Sequence, residues 1–230
     1  MNIPKLEEMM KAGMHFGHRT NRWHPKMEPF IFTKKNGIYI INLEKTQEQL
    51  KSALEYMIKL IQEDKVILFV GTKKQVKGSM KKMAEEAKVP HITGKWIGGL
   101  LTNFPIIKKS IKKYQDLIND RESGKLSKYT KKEQLDFDRE IKRLEERVGG
   151  LVGLTKLPDA LFIWDLKEES TAVVEAQNKN IPIIAICDTN VNPDLAAYPI
   201  PANDDATKTV DLILDTIKEN LINAKNIKLS

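Results

Sequence analysis

The chain has 230 residues, of which 41% are hydrophobic and 30% are charged, a balance typical of a folded globular protein rather than a disordered one. The longest apolar runs, such as Ile181–Cys187 and Val66–Val70, are strand-sized and too short to cross a membrane. The amino terminus has no basic region followed by an apolar stretch, so we expect no secretory signal. Since the single cysteine, Cys187, cannot form an internal disulfide, the sequence favours a cytosolic protein.

The net charge of +7 is unevenly distributed along the chain. Residues 1–102 carry 18 Lys and Arg against 10 Asp and Glu, and residues 103–148 carry 13 against 9. Residues 149–230 carry 7 against 12 and are therefore acidic. A basic front and an acidic back indicate one face toward a polyanion and another toward solvent or protein, although lysine-rich surfaces also serve solubility alone.

The first half of the chain predicts alternating helices and strands. A short opening helix ends at Gly13, and Asn36-Gly37 marks a hairpin between strands 30–33 and 37–42. Asn42 is placed to cap a helix over 43–63. The apolar run 66–70 predicts a strand buried on both faces, followed by a lysine-rich helix that ends near Lys88 and a short strand at 91–92.

The second half repeats this rhythm. Buried strands are predicted at 160–164 and 181–187, with a short strand near 198–200, and helices at 167–180 and 204–223. Buried strands that alternate with helices predict an α/β fold, with a parallel sheet, right-handed crossovers and helices on both faces. We therefore assign residues 1–104 and 149–230 to one α/β domain, within which segment 1–42 is the part expected to face a polyanion.

Residues 105–148 interrupt the rhythm. Two runs follow the 4-3-4 spacing of a coiled-coil seam: Ile107, Ile111, Tyr114 and Ile118, then Phe137, Ile141, Leu144 and Val148. Gly124 breaks the helix between them, and Thr130 with Glu133 has the pattern of a capping box. The sequence predicts an antiparallel coiled-coil hairpin inserted into the α/β domain. Whether it acts as a charged spacer or docks a partner is left open by the sequence.

The segment 11–29 fits neither an amphipathic helix nor an alternating strand. It holds three of the four histidines, two arginines, two lysines and Trp23 on a backbone with two glycines. Cations and a stacking aromatic suit a nucleic-acid surface, and an ordered loop packed on the core is an equal alternative. Two histidines three residues apart, with only one cysteine in the chain, give little support for zinc.

An α/β sheet also suggests an enzyme, and the best candidate is the strand–turn–helix at Gly71–Lys74. It lacks the spacing of a P-loop and of a dinucleotide fingerprint. Lys73 and Lys74 could still hold a phosphate, either of a nucleotide or of a nucleic acid. Aspartates follow the later strands, but Asp204 and Asp205 are more simply read as caps of the last helix than as Mg²⁺ ligands. No serine, cysteine and histidine pattern predicts catalysis.

Several stretches taken together resemble a known family. They are MMKAGMHFGHRTNRWHPKMEPFIF, NGIYIINLEKT, ILFVGTKKQ, KWIGGLLTNF and LPDALFIWDLKEESTAVVEAQNKNIPIIAICDTNVNPDLAAYPIPANDDA. They run in order over nearly the whole chain and resemble the bacterial-type ribosomal protein S2 family of the small subunit. The sequence departs from the expected pattern at Asn42, Lys95, Asn192 and Ala202, which affects local geometry and the case for Mg²⁺ at the aspartates.

The resemblance implies a flavodoxin-like fold with an inserted coiled-coil hairpin and a structural, non-enzymatic role without cofactor. It implies binding to ribosomal RNA near the junction of head and body, beside neighbouring proteins that include the large multi-OB protein S1 where an organism has one, and no isolated homo-oligomer. The family motifs carry RNA contacts onto Arg19, Arg22, Trp23, His24 and Lys26, and further onto Lys34, Lys35, Lys95 and Trp96. With the phosphate candidates Lys73 and Lys74, the basic hairpin side chains Lys108, Lys109 and Lys112 complete the expected interface. A docking scaffold that uses the acidic carboxyl half is a further possibility.

Overall fold

The computed structural model describes residues 1–229. Its strands are β1 Phe16–Arg19, β2 Ile31–Lys35, β3 Ile38–Ile41, β4 Ile67–Val70, β5 His91–Ile92, β6 Ala160–Ile163, β7 Ile183–Cys187 and β8 Tyr198–Pro201. Its helices are α1 Leu6–Lys11, α2 Leu43–Gln62, α3 Lys77–Glu86, α4 Phe104–Glu122, α5 Lys131–Val148, α6 Ser170–Asn178 and α7 Thr207–Leu229. No helix among these residues combines the length and apolarity needed to span a bilayer.

Five parallel strands form the main sheet in the order β5-β4-β6-β7-β8. The first strand of this sheet, β4, lies between the second and the third, which is the flavodoxin-like order. The predicted α/β class is therefore confirmed. The strands of the sheet interior are apolar at every position because helices cover both of their faces.

Each face of the sheet carries its own core, and strand alternation assigns side chains to one or the other. Phe69 and Phe162 pack with helices α1, α2, α3 and α7 on one face. Leu68 and Leu161 pack with α6 and with the bases of α4 and α5 on the other. The two buried cores fix the positions of the strand ends from which the functional side chains project.

Helices α4 and α5 pack against each other and are joined by a short connection with a left-handed Gly124. The predicted capping box is present, since Glu133 donates its backbone N–H to Thr130 and accepts from the Thr130 backbone N–H. Of the residues predicted to form the coiled-coil seam, Ile107, Ile111, Leu144 and Val148 are buried in the second core. Lys113 pairs with Glu140 across the two helices.

The amino-terminal segment forms a second, antiparallel sheet in the order β1-β3-β2. The prediction that 11–29 contains no strand is wrong at residues 16–19, which pair with β3 to form β1. These residues lack apolar alternation because their strand lies at an edge and its pairing is irregular between Phe16 and Arg19. The predicted hairpin around Asn36-Gly37 is confirmed, with positive φ at both residues.

Candidate nucleic-acid interface

Hydrogen bonds attach the amino-terminal sheet to Thr189, which lies just after the carboxyl end of strand β7. The His18 backbone N–H donates to Thr189 Oγ1 at 2.8 Å, and the His24 backbone N–H donates to the Thr189 carbonyl at 2.7 Å. A Cβ at Gly17 would lie 2.5 Å from Thr189 Cγ2, so only glycine permits this approach. The Asn203 side-chain amide adds a further hydrogen bond to this sheet by donating to the Phe16 carbonyl at 2.7 Å.

The crevice where an α/β enzyme would bind its ligand is filled by the chain's own side chains. The topological switch point lies between β4 and β6, just beyond their carboxyl ends. There the Lys73 ammonium contacts Asp165 at 3.4 Å, Asp204 at 2.9 Å and Asp205 at 2.7 Å. The Thr72 backbone N–H donates to buried Glu169 at 2.8 Å. Lys73 thus faces carboxylates rather than an open phosphate site, and the enzyme alternative at Gly71–Lys74 gains no support.

The aspartates before the last helix do not cap it, contrary to the expectation. Asn203 instead accepts from the backbone N–H groups of Asp205 and Ala206, both at 2.9 Å, in the turn that precedes the helix. Asp204 is buried, and its carboxylate forms an ion pair with Lys73. Across residues 1–229, no group of three or more His, Cys, Asp or Glu is arranged to hold a metal ion.

The pKa values of Asp204 and of His18, which pairs with Asp188, are both raised. Burial, together with repulsion by Asp188 and Asp165, raises the pKa of Asp204 to about 7. The hydrogen bond to Asp188 raises the pKa of His18 against the opposing effect of burial, and Nδ1 of His18 lies 3.1 Å from the Asp188 carboxylate. Both groups therefore hold a proton more tightly in the folded chain than in the unfolded chain.

We expect the free energy of unfolding to fall as pH rises from about 4 through about 7. The contribution of Asp204 declines as pH rises from its unfolded pKa of about 3.9 toward its folded value. The contribution of His18 is complete below its unfolded pKa of about 6.5 and is lost as pH rises through its raised folded pKa. Urea unfolding at several pH values measures this, and His18→Gln should flatten the profile. An equally steep profile in His18→Gln, or flattening by His24→Gln instead, would contradict it.

Most of the predicted cations lie free on the surface. Among the described side chains, these form no ion pair and are exposed: Arg19, Arg22, Lys34, Lys35, Lys74, Lys95, Lys108, Lys109 and Lys112. The first four belong to the amino-terminal sheet or the turn after β1, and the last three lie on α4. Lys26 differs from them because it pairs with Asp194. The structure thus provides two groups of cations with no internal partner.

The predicted aromatic and histidine contacts divide into packed and surface positions. Trp96 is half-buried against the second core and donates its Nε1–H to Glu175 at 3.0 Å, so it belongs to a packing joint. Trp23 lies against Tyr39 with ring centroids 5.0 Å apart. His24 caps the turn after it, since its Nδ1 accepts from the Lys26 backbone N–H at 3.2 Å.

Glu175 and Thr189 organise the site and were not predicted from the sequence. The Glu175 carboxylate accepts from the backbone N–H groups of Gly99, Leu101 and Thr102, in addition to Trp96. Burial by itself would raise the pKa of Glu175. The hydrogen bonds lower it by more, so the pKa lies below the ordinary value. The available signal was a lone acidic residue beside the apolar stripe of α6, which includes Ala172 and Ala176.

The chain is similar in sequence to known proteins of one family. The family model described as ribosomal protein S2 matches residues 9–224. Similar proteins named small ribosomal subunit protein uS2 include one from Coprothermobacter proteolyticus, 44% identical over 98% of this chain and 84% of the relative. Others are from Petrotoga mobilis, 45% identical over 98% of this chain and 78% of the relative, and Chlorobium phaeovibrioides, 42% identical over 100% and 89%. A family match over this length, with relatives of this identity, shows that the chain belongs to the ribosomal protein S2 family.

Proposed function

We propose that this chain is a structural, non-enzymatic component of the small ribosomal subunit that binds ribosomal RNA in the cytoplasm. Its family membership supports the assignment, as do the names of its relatives. The single observation that carries it is the contrast between two groups of charges. The crevice expected of an enzyme is closed by Lys73 and its carboxylates, whereas the surface cations have no partner within the described chain.

The first proposed RNA surface is the amino-terminal sheet. Arg19, Arg22, Lys34 and Lys35 are exposed there, and the hydrogen bonds of this sheet to Thr189 hold the backbone that carries them. Cations on an ordered backbone lose less conformational freedom when they bind phosphate than cations on a mobile loop. The segment therefore serves as a preformed attachment surface.

The second proposed surface is a lysine stripe on α4. Lys112 follows Lys108 by four residues and Lys109 by three. At this spacing on a helix, the three lysines lie on neighbouring turns of one face. The buried side chains Ile107 and Ile111 turn this face outward. We treat residues 105–148 as a hairpin inserted into the α/β domain, which carries this stripe away from the sheet.

We assign the acidic carboxyl part to contacts with neighbouring ribosomal proteins. Residues 149–230 carry 7 Lys and Arg against 12 Asp and Glu, which disfavours contact with phosphate. We place the chain near the junction of head and body, and include the multi-OB protein S1 among its neighbours. The family resemblance supports both assignments.

Neutralising the cations of one surface should weaken RNA binding and lower its salt dependence. For Arg19→Gln with Arg22→Gln, we expect the slope of log affinity against log salt to fall by about 2 if both contact phosphate, because each lost contact removes about one released counterion. For Lys108→Gln, Lys109→Gln and Lys112→Gln combined, the expected fall is about 3. Filter binding to protein-free small-subunit RNA at several salt concentrations measures both.

The matched control changes the same charge elsewhere. Lys51→Gln with Lys59→Gln removes two exposed lysines of α2, both of which already have carboxylate neighbours. We expect this pair to leave the slope nearly unchanged. An equal fall in the control would mean that net charge alone governs binding, and the proposed surfaces would be wrong.

A further inference from the structure

An aromatic group on the amino-terminal sheet has no role in either core. Trp23 and Tyr39 lie 5.0 Å apart between ring centroids with a 42° interplanar angle, and neither belongs to the two buried clusters. Phe32 is 72% exposed, the most exposed of the large hydrophobic side chains described. An exposed aromatic ring beside unpaired cations has the chemistry of a surface on which nucleic-acid bases stack.

Two exposed cations, Lys34 and Arg22, lie next to Tyr39 and Trp23 in strand register or in sequence. In the register of β2 and β3, Lys34 lies directly opposite Tyr39, so the two side chains share one face of the sheet. Phe32 precedes Lys34 by two residues on the same strand, at an irregularity between Ile31 and Thr33. Arg22, next to Trp23 in the chain, is exposed. The surface therefore combines apolar ring faces with unpaired positive charges.

We propose that Trp23, Phe32 and Tyr39 form a stacking platform for unpaired bases of the ribosomal RNA. The inference rests on the proposed function and specifies the kind of RNA that this surface holds. Base faces in a duplex are covered by their neighbours, whereas bases in loops and bulges are free to stack on aromatic rings. Lys34 and Arg22 hold the phosphates that flank the stacked bases.

The edge position of β2 provides access for such a strand of RNA. β2 is the outer strand in the order β1-β3-β2, so no further strand covers its free side. Most side chains of β2 after Ile31 are exposed, which leaves room for nucleotides along its length. Phe32 thus lies at the open edge of the sheet, and Tyr39 lies on the adjacent strand β3.

Replacement of Phe32 separates stacking from charge. We expect Phe32→Leu to weaken binding of the full chain to protein-free small-subunit RNA by about 5- to 100-fold, the usual effect of losing one stacked base. The slope of log affinity against log salt should stay unchanged because no charge is removed. Phe32→Tyr keeps the ring and should bind within about twofold of the wild type. Leu135→Ala is the matched control, since Leu135 is also an exposed apolar side chain, 50% accessible, on α5.

A fluorescence titration gives a second readout. We expect single-stranded oligoadenylate of ten nucleotides to quench tryptophan emission more than a duplex of equal length, and Trp23→Phe to remove that difference. Trp164 is fully buried and Trp96 packs against the second core, so loss of the difference in Trp23→Phe but not in Trp96→Phe assigns it to Trp23. Equal quenching by both probes, or unchanged affinity in Phe32→Leu, would overturn the platform. Steep salt-dependent binding of the wild type in the same assay would still support the proposed function, whereas its absence would overturn both.

Discussion

Replacement of Lys73 by methionine is expected to destabilise the fold by about 3–5 kcal/mol. The Lys73 ammonium contacts Asp165, Asp204 and Asp205, and the first two of these carboxylates are buried. Methionine keeps most of the side-chain volume but leaves the carboxylates without their cation. Because Asp165 and Asp204 then either repel each other or must take up a proton, the folded state loses more than one hydrogen bond would account for.

The neighbouring residue offers a matched control for this substitution. Lys74 is exposed and forms no ion pair in the described structure, so we expect Lys74→Met to change stability by no more than about 0.5 kcal/mol. Urea unfolding at pH 7 measures both variants. Adding Asp204→Asn to Lys73→Met should recover part of the loss because it removes one unpaired carboxylate. Equal stability of Lys73→Met and Lys74→Met would show that the cluster does not stabilise the sheet edge.

Replacement of Glu175 by alanine is expected to have an effect of similar size, about 3–5 kcal/mol. Its carboxylate accepts from Trp96 Nε1–H at 3.0 Å, Gly99 N–H at 2.8 Å and Leu101 N–H at 2.9 Å, and also from Thr102. Alanine would leave these donors without an acceptor, in a region where the Leu101 backbone is buried. The loop between β5 and α4 should therefore lose its fixed shape.

A second glutamate of the same region provides the control. Glu168 is exposed, and Glu168→Ala should change the free energy of unfolding by about 0.5 kcal/mol or less. Glu175→Gln should be intermediate because it keeps an acceptor but loses the charge. Since the hydrogen bonds lower the pKa of Glu175, its contribution is lost only as pH falls through that lowered value. Comparable stability of Glu175→Ala and Glu168→Ala in urea would contradict this account.

The sequence predicted the sheet well because burial on both faces leaves a simple signature. The apolar run 66–70 corresponds to Ile67–Val70, and 181–187 to Ile183–Cys187. Asn42 caps α2 as predicted, accepting from the Glu44 and Lys45 backbone N–H groups. Each of these features depends on residues close together in the chain, so local patterns are sufficient to find them.

The missed features depend on contacts between distant parts of the chain. β1 exists because residues 16–19 pair with β3, and no alternation of their own marks them. Asp204 was expected to cap a helix, but Lys73, 131 residues away, draws it into the ion cluster. Glu175 reads as a surface residue until the loop after β5 folds over it. Pairing over such separations leaves no periodic signal in one sequence.

The exposed cations were predicted on composition and family motifs, and their RNA contacts remain a prediction. The structure adds a physical distinction between them: Lys73 and Lys26 have carboxylate partners, whereas Arg19 and Lys108 have none among the described residues. This distinction could not be drawn from the sequence, because a lysine reads the same whether its partner is a carboxylate or water.

Sedimentation of the tagged full chain through a gradient of cell lysate tests the central claim most directly. If the chain is a structural component of the small subunit, it should comigrate with the small-subunit peak at moderate salt and be released progressively as salt rises. The chain with Arg19→Gln, Arg22→Gln, Lys108→Gln, Lys109→Gln and Lys112→Gln should be released at lower salt. A wild-type chain that stays at the top of the gradient, or whose association ignores salt, would contradict the account.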